Sequence, residues 1–192
     1  MRIIGGEFKG RALKAPTWEG LRPTSDRLRE TLFNVIAARV PDAAVLDVYA
    51  GTGAVGLEAI SRGARLAVFV ERDRRAAALI RENVERCGAG GRYAIQHASA
   101  ETALGAPIAG GPFDLVVLDP PYDLPDLVTI VEQAVQQLAP GGVVILEHAW
   151  RREVPAAVAG ARRVRTVRAG DSALSLFHPE EGERQDHEQQ PG

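Results

Sequence analysis

Four consecutive residues, Asp119, Pro120, Pro121 and Tyr122, combine a carboxylate, two rigid backbone positions and an aromatic ring. They follow the apolar run at residues 114–118, which predicts a buried strand. Prolines often do no more than end a strand, and that interpretation requires no chemistry. A carboxylate and a proline carbonyl at a strand end can both accept hydrogen bonds from an amino group, however, and the tyrosine ring offers a stacking surface to a flat ligand. We therefore predict that this tetrapeptide is catalytic.

A second candidate site lies at residues 45–56, where a short apolar strand leads directly into a glycine-rich turn. Gly51, Gly53 and Gly56 fit the pattern G-x-G-x-x-G, and Glu71 follows about twenty residues later. A helical pattern begins at once after the turn, so this stretch predicts a strand, a tight turn and a helix N-terminus. Such a unit binds a nucleotide-containing cofactor beyond the carboxyl ends of a parallel sheet.

The glycine pattern by itself fits two cofactors. A nicotinamide dinucleotide would place its pyrophosphate on the helix N-terminus and its ribose on Glu71. S-adenosylmethionine needs the same glycine turn and the same acid. Asp47, at the end of the strand, favours S-adenosylmethionine, because a carboxylate attracts the cationic amino-acid end of that cofactor and repels a pyrophosphate. The tetrapeptide at residues 119–122, for which a dehydrogenase has no use, favours the same choice.

The elements that must position these two sites alternate between strand and helix patterns. Strands are predicted at residues 45–48, 65–70, 93–96, 114–118 and 143–146. Helices are predicted after the glycine turn and at residues 74–87 and 127–138, and residues 99–104 predict a short helix or a turn. The Pro140-Gly141-Gly142 sequence is expected to stop the last helix. Residues 162–168 and 173–177 predict a terminal antiparallel hairpin. This alternation predicts a mostly parallel sheet with right-handed crossovers.

The first forty residues precede this α/β pattern. Residues 1–13 predict two short strands around glycines, and a helix is expected to begin with Thr24 or Ser25 as its N-cap. Three units follow from the composition: a basic hairpin and helix at residues 1–40, the α/β part at residues 41–179, and an acidic tail at residues 180–192 that we expect to be disordered.

Composition excludes several classes of protein. The chain has 192 residues with 45% hydrophobic and 25% charged residues, which is ordinary for one globular domain. Cys87 is the only cysteine, so no intrachain disulfide forms and no cysteine-based metal site is expected. No apolar run approaches the roughly 18 residues of a membrane span, and no signal peptide is visible, so we expect a cytoplasmic protein.

Charge is unevenly distributed along the chain, although the formal net charge is only −2. Basic residues exceed acidic ones in residues 1–39, and residues 151–168 contain six arginines against the single acid Glu153. Two basic surfaces suit a polyanionic partner, although solvated surface elements would show the same counts.

Several segments together resemble the bacterial 16S ribosomal RNA guanine-N2 methyltransferase family. They are residues 2–6 with 9–11, residues 21–27 with 29–34, residues 47–53, and the tetrapeptide 119–122. This tetrapeptide resembles the [D/N]-P-P-[Y/F] motif of enzymes that methylate exocyclic amino groups of bases. The resemblance extends to about residue 179. It implies a Rossmann-like class I S-adenosylmethionine-dependent methyltransferase fold, whose seven-stranded, mostly parallel sheet ends in an antiparallel hairpin.

The resemblance also implies roles for individual residues and a monomeric enzyme that binds 16S rRNA in the small ribosomal subunit, without a metal. The implied cofactor-binding residues are Thr24, Asp47, Tyr49, Gly51, Thr52, Gly53, Glu71, Arg72, Ser99, Ala100 and Asp119. The implied RNA-binding residues are Lys9, Arg11, Arg22, Arg27 and Arg29. Ser99 stands where such enzymes usually carry an acidic or amide residue that meets the adenine amine.

Two other functions remain open at this point. Asp119 favours guanine, because a carboxylate accepts the adjacent N1–H and N2–H groups of guanine together, but some adenine-N6 methyltransferases also have aspartate here. Those acting on DNA usually carry a large target-recognition insertion, and no segment of this chain is large enough for one. A non-catalytic ribosome-assembly factor with the same fold is the other alternative.

Overall fold

Eight strands form a single sheet in this computed structural model, which describes residues 1–18 and 25–180. In chain order they are β1 (Ala44–Val48), β2 (Leu66–Glu71), β3 (Tyr93–His97), β4 (Phe113–Leu118), β5 (Leu138–Ala149), β6 (Ala157–Val158), β7 (Ala161–Ala169) and β8 (Ser172–Pro179). Their order across the sheet is β3-β2-β1-β4-β5-β8-β7-β6. The first five strands pair in parallel and the last three pair antiparallel. The predicted mostly parallel sheet with a terminal hairpin is confirmed.

Five α-helices accompany the sheet in the described residues: α1 (Asp26–Val35), α2 (Ala54–Ser61), α3 (Arg74–Cys87), α4 (Ala100–Leu104) and α5 (Leu127–Val135). Side chains cap the starts of α1, α3 and α4, whereas α2 and α5 have no side-chain cap. Ser25 caps α1 by accepting the backbone N–H of Leu28 at 3.2 Å, and Asp73 caps α3 through the N–H of Arg75 at 2.7 Å. The bounds of α3 are those predicted from the sequence.

The core covers both faces of the central strands. All five residues of β1 are buried, including Asp47. Leu46 of β1 and Val116 of β4 pack on the face covered by α4 and α5, whereas Val45 and Leu115 pack on the face covered by α1 and α2. The first three strands are added toward one edge of the sheet and β4 and β5 toward the other, so the strand order switches between the parallel neighbours β1 and β4. Open α/β sheets bind ligands at such a switch point.

The N-terminal segment differs from the predicted hairpin of two strands. Its two arms pair through the isolated bridge between Arg2 and Ala12 and through backbone hydrogen bonds such as Ile3 N–H to the Arg11 carbonyl at 3.0 Å, and no regular strand forms. Both carboxylate oxygens of the buried Glu58 on α2 accept N–H groups, from Ile4 and Gly5, each at 2.8 Å. Ile3, Phe8 and Leu13 are buried against α2 and α3 and hold the segment in place. The sequence did not indicate the role of Glu58.

Two further elements differ from their predicted extents. The sheet has eight strands instead of seven because residues 157–158 add the short strand β6. Helix α5 ends at Val135 instead of continuing to Leu138, and β5 begins before Pro140, where Leu138 pairs with Phe113. The buried side-chain amide of Gln137 holds the chain here by donating to the carbonyls of Leu104 and Ala106.

The helices of residues 1–18 and 25–180 include none with the length and apolar character of a membrane-spanning helix.

Candidate active site

A cavity of about 560 Å³ opens at the carboxyl ends of the central parallel strands; we call it the strand-end cavity. Its volume lies in the range of small-molecule sites. The charged side chains among its described lining residues are mainly acidic: Asp47, Glu71, Asp73, Glu101, Asp119 and Glu147, against Arg72 and Arg75. This distribution favours a cationic ligand and disfavours a pyrophosphate.

Asp47 lies at the floor of the strand-end cavity and is only 2% exposed. Its Oδ2 accepts the N–H of Gly56 in the first turn of α2 at 2.9 Å. Burial raises its pKa to about 8; the Gly56 hydrogen bond opposes the rise, and the charges of Asp119 and Glu71 add to it. In dinucleotide-binding folds a pyrophosphate occupies this helix N-terminus, whereas here the protein's own carboxylate does.

Glu71 ends β2 and is also held by backbone donors. Its two carboxylate oxygens accept the N–H groups of Gly51 and Asp73, at 2.9 and 2.8 Å. Each carboxylate oxygen has a further lone pair, so the group can accept additional hydrogen bonds from a ligand in the cavity.

The hydroxyl oxygen of Tyr49 lacks a hydrogen-bond partner among the described residues, which indicates that a ligand can bind there. This hydroxyl is buried, and buried polar groups rarely stay unpaired. Burial raises the pKa of Tyr49 to about 12; the charge of Glu101 adds to the rise and that of Arg72 opposes it. Glu101, which our sequence analysis did not select, also lines the cavity. A ligand with hydroxyl or amino groups would satisfy this position.

Some of the predicted cofactor-binding residues in the glycine turn, after β2 and after β3 line the strand-end cavity, and others do not. Gly51, Thr52, Arg72 and Ala100 line the strand-end cavity, as their predicted roles require.

Gly53 and Ser99, however, are not among the residues that line the cavity, and their cofactor contacts stay predictions. Gly53 has a positive φ of 76°, and a Cβ there would lie 3.1 Å from Ile80, so its absent side chain permits helix packing. The Ser99 hydroxyl caps α4 by accepting the N–H of Thr102 at 3.2 Å.

The predicted catalytic tetrapeptide follows β4 directly, and all four residues line the cavity. Leu118 pairs with Leu146 on the neighbouring strand β5, so Asp119 lies beside Glu147. The two side chains are hydrogen-bonded to each other. The Tyr122 hydroxyl lies 3.3 Å from Glu147 Oε1 and 2.7 Å from Ser172 Oγ. The loop that follows β4, strand β5 and strand β8 therefore contribute to one hydrogen-bonded group at the cavity wall.

Arg152 supports the tetrapeptide from outside the cavity. Its guanidinium donates to the backbone carbonyl of Tyr122 at 2.7 Å and to that of Leu124. In the sequence this arginine stands out only as part of the basic segment at residues 151–168. Its contact restrains the loop that carries the catalytic candidates.

The predicted RNA-binding residues do not share one environment. Lys9, Arg11 and Arg27 are exposed. Arg29, in contrast, is fully buried, and its guanidinium donates to the carbonyl of Arg2 at 2.7 Å and to Asp26 at 3.0 Å. The prediction that Arg29 contacts RNA is therefore wrong for this structure, because the side chain joins α1 to the N-terminal segment. The predictions for Arg22 and Thr24 lie outside the described residues.

Comparisons with known proteins agree with this arrangement. The family model described as "Conserved hypothetical protein 95" matches residues 1–178. The chain is 36% identical over 183 residues to "Ribosomal RNA small subunit methyltransferase D" of Escherichia coli K12, covering 94% of this chain and 90% of that protein. The protein of the same name from Haemophilus influenzae is 37% identical over 140 residues, covering 72% and 70%.

A solved structure shows the same fold. It is described as "Putative methyltransferase yhhF from Escherichia coli" and superposes with a TM-score of 0.81 at 32% identity, over 94% of this chain and 98% of that one. The methyltransferase fold expected from the motifs is thereby confirmed, and so is the family resemblance. The chain is thus similar to proteins named as small-subunit ribosomal RNA methyltransferases, and it belongs to the family described as Conserved hypothetical protein 95.

Proposed function

We propose that this protein is an S-adenosylmethionine-dependent methyltransferase that modifies the exocyclic N2 amine of a guanine in 16S rRNA of the small ribosomal subunit. The observation that carries the proposal is the position of Asp119. Its carboxylate lies at the wall of the same acidic cavity in which Asp47 and Glu71 are suited to a cationic cofactor. The relatives named as small-subunit rRNA methyltransferases support the RNA substrate.

The residues of the strand-end cavity fit S-adenosylmethionine better than a dinucleotide. Bound there, this cofactor would supply an electrophilic methyl group on a sulfonium centre. Asp47 would face its cationic amino-acid end, and Glu71 would accept its ribose hydroxyls. Tyr49 offers a hydroxyl that has no partner in the described part of the chain, and Glu101 offers a carboxylate next to Ala100. Glu101 is therefore our candidate for the adenine amine in place of Ser99. Thr24, Gly51, Thr52 and Arg72 complete the proposed set.

The tetrapeptide performs the chemistry by positioning and charge. The lone pair of a base's exocyclic amine is delocalised into the ring, so the amine is a poor nucleophile. The Asp119 carboxylate and the Pro120 carbonyl accept its two N–H groups and favour a tetrahedral nitrogen whose lone pair is available. The Tyr122 ring, which is 41% exposed, offers a stacking face to a base that has left its helix.

Guanine is favoured because the Asp119 carboxylate is an acceptor. Guanine presents N1–H and N2–H as neighbouring donors, whereas adenine presents one amine beside an acceptor nitrogen. The exposed basic residues Lys9, Arg11 and Arg27, with Arg22, are proposed to contact the RNA phosphates.

Methyl transfer from tritium-labelled S-adenosylmethionine tests the proposal. Small subunits, free 16S rRNA and duplex DNA are offered separately, and the labelled nucleosides are identified. We expect label in N2-methylguanosine from RNA. Label in N6-methyladenosine, or no label in any substrate, would overturn the proposal and favour one of the two alternatives left open by the sequence. Glu153→Gln, which changes an exposed carboxylate outside the cavity, is the control for purification and should match wild type.

A further inference from the structure

Glu147 is a buried carboxyl group that the proposed reaction does not yet use. It lies at the end of β5, is 7% exposed and lines the strand-end cavity. It is hydrogen-bonded to Asp119, and its Oε1 accepts the Tyr122 hydroxyl at 3.3 Å. Two carboxyl groups can form a hydrogen bond to each other only when one of them carries a proton. The contact therefore implies one proton shared by the pair.

The proton belongs mainly to Glu147 for a physical reason. Glu147 is buried, whereas Asp119 is partly exposed to the cavity, so ionising Glu147 has the larger desolvation cost. Burial raises the pKa of Glu147 to about 8, and the charge of Asp119 and its hydrogen bond add to the rise. The facing groups are Asp119 after β4, Tyr122 in the loop and Ser172 on β8, and Asp47 on β1 acts on Asp119 by charge.

We propose that Glu147 is a positioning residue that donates its carboxyl proton to Asp119, orients that carboxylate toward the cavity and keeps it ionised, so that it acts only as a hydrogen-bond acceptor. This inference rests on the proposed function, because it concerns how the same site selects and activates its base. An acceptor-only Asp119 suits the two neighbouring donors of guanine. If the proton moved to Asp119, the site would present a donor and an acceptor together, as adenine requires.

The arrangement also accounts for the surplus proton of the reaction. The N2 lone pair forms the new nitrogen–carbon bond, the sulfur–methyl bonding pair stays on sulfur as a neutral thioether, and N2 is left with one proton too many. Asp119, still ionised, accepts that proton while Glu147 keeps its own. The proton then leaves from Asp119 to solvent, and the pair returns to its starting state with a single proton.

The test compares Glu147→Gln with Glu147→Ala over a range of pH, with kcat measured at saturating cofactor and RNA. Glutamine still donates to Asp119 and does not titrate. We expect Glu147→Gln to keep kcat near wild type at neutral pH and to lose part of the decline that wild type shows above about pH 8. Glu147→Ala should lower kcat about 10–100-fold, the usual cost of losing a supporting partner, with little change in the KM for cofactor.

Asp47 titrates in both wild type and Glu147→Gln, so the difference between the two profiles isolates Glu147. Glu153→Gln is the matched control for removing a carboxylate and should reproduce the wild-type profile. Superimposable profiles for wild type and Glu147→Gln, or unchanged kcat in Glu147→Ala, would overturn the inference.

A measurement without turnover separates this inference from the proposed function. The infrared difference spectrum of wild type minus Glu147→Gln at neutral pH should contain the carbonyl band of a protonated carboxyl group. Absence of that band overturns the shared proton, even if the enzyme methylates RNA. If the band is present in a protein that transfers no methyl group, the shared proton is supported and the proposed function is rejected.

Discussion

The two halves of the strand-end cavity hold their carboxylates in different ways. On the half that we propose holds the cofactor, here called the cofactor half, Asp47 and Glu71 are fixed by backbone N–H groups of the glycine turn and its neighbours. On the acceptor half, Asp119 and Glu147 are fixed by each other and by the hydroxyl of Tyr122. Backbone donors remain when a neighbouring side chain changes, whereas side-chain donors do not.

This difference indicates how the two halves respond to mutation. A single substitution on the acceptor half changes both the charge and the hydrogen bonds of its partners, because the members satisfy one another. A substitution on the cofactor half leaves the turn and its N–H groups in place. We therefore expect turnover to be the sensitive property on one side, and cofactor affinity on the other.

Asp119→Ala is expected to have the largest effect. It removes the acceptor for the reacting amine, so turnover should fall on the order of 10²–10³-fold. Cofactor binding should be largely retained, because Asp47 and Glu71 keep their backbone donors. Methyl transfer and calorimetric binding measure the two properties separately. Asp123→Ala, an exposed position four residues later, should behave as wild type. Unchanged turnover in Asp119→Ala would remove this carboxylate from the mechanism.

Asp47→Asn should have an intermediate effect and change binding instead of chemistry. With its pKa raised to about 8, Asp47 is largely protonated at pH 7, and a nearby cation favours the ionised form. Cofactor binding should therefore release protons near pH 7, and affinity should rise as pH approaches 8. The asparagine variant should lose this release and bind about tenfold more weakly, about 1.4 kcal/mol.

Calorimetry in two buffers with different heats of ionisation measures the proton release of Asp47. Asp42→Asn, at an exposed position before β1, is the matched control and should keep the wild-type release. A binding heat that does not depend on the buffer in wild type would contradict the raised pKa and the contact with a cation.

Tyr122→Phe should have the smallest effect of the three. It removes the hydroxyl contacts to Glu147 and Ser172 but keeps the ring, and a neutral hydrogen bond contributes only about 0.5–1.5 kcal/mol. Tyr122→Ala should reduce kcat/KM for the RNA more, because stacking contributes roughly 1–3 kcal/mol. Equal losses in both variants would show that the hydroxyl network, and not the ring, is what the acceptor half needs.

Local patterns in the sequence were sufficient for most of the fold. The apolar strands, the glycine turn and the capped helix α3 all depend on neighbours within a few residues, so periodicity and capping residues predicted them. Long-range contacts caused the differences. Residues 138–142 carry the proline and glycines of a helix stop, yet Leu138 pairs with Phe113 across the sheet. The N-terminal glycine pattern predicted two strands, yet Glu58 accepts the backbone N–H groups of Ile4 and Gly5 between the two arms.

The amino-acid sequence by itself was sufficient to identify the candidate catalytic tetrapeptide, the acid-bearing glycine turn and the family, because those signals lie within short continuous segments. Only the tertiary structure decided which distant side chains meet. It paired Glu147 with Asp119 and brought Glu101 to the same cavity as the Tyr49 hydroxyl, which has no partner among the described residues. It also buried Arg29 against the N-terminal segment. The physical reason is that burial and hydrogen-bond partners depend on strand register and helix packing, which join residues far apart in the chain.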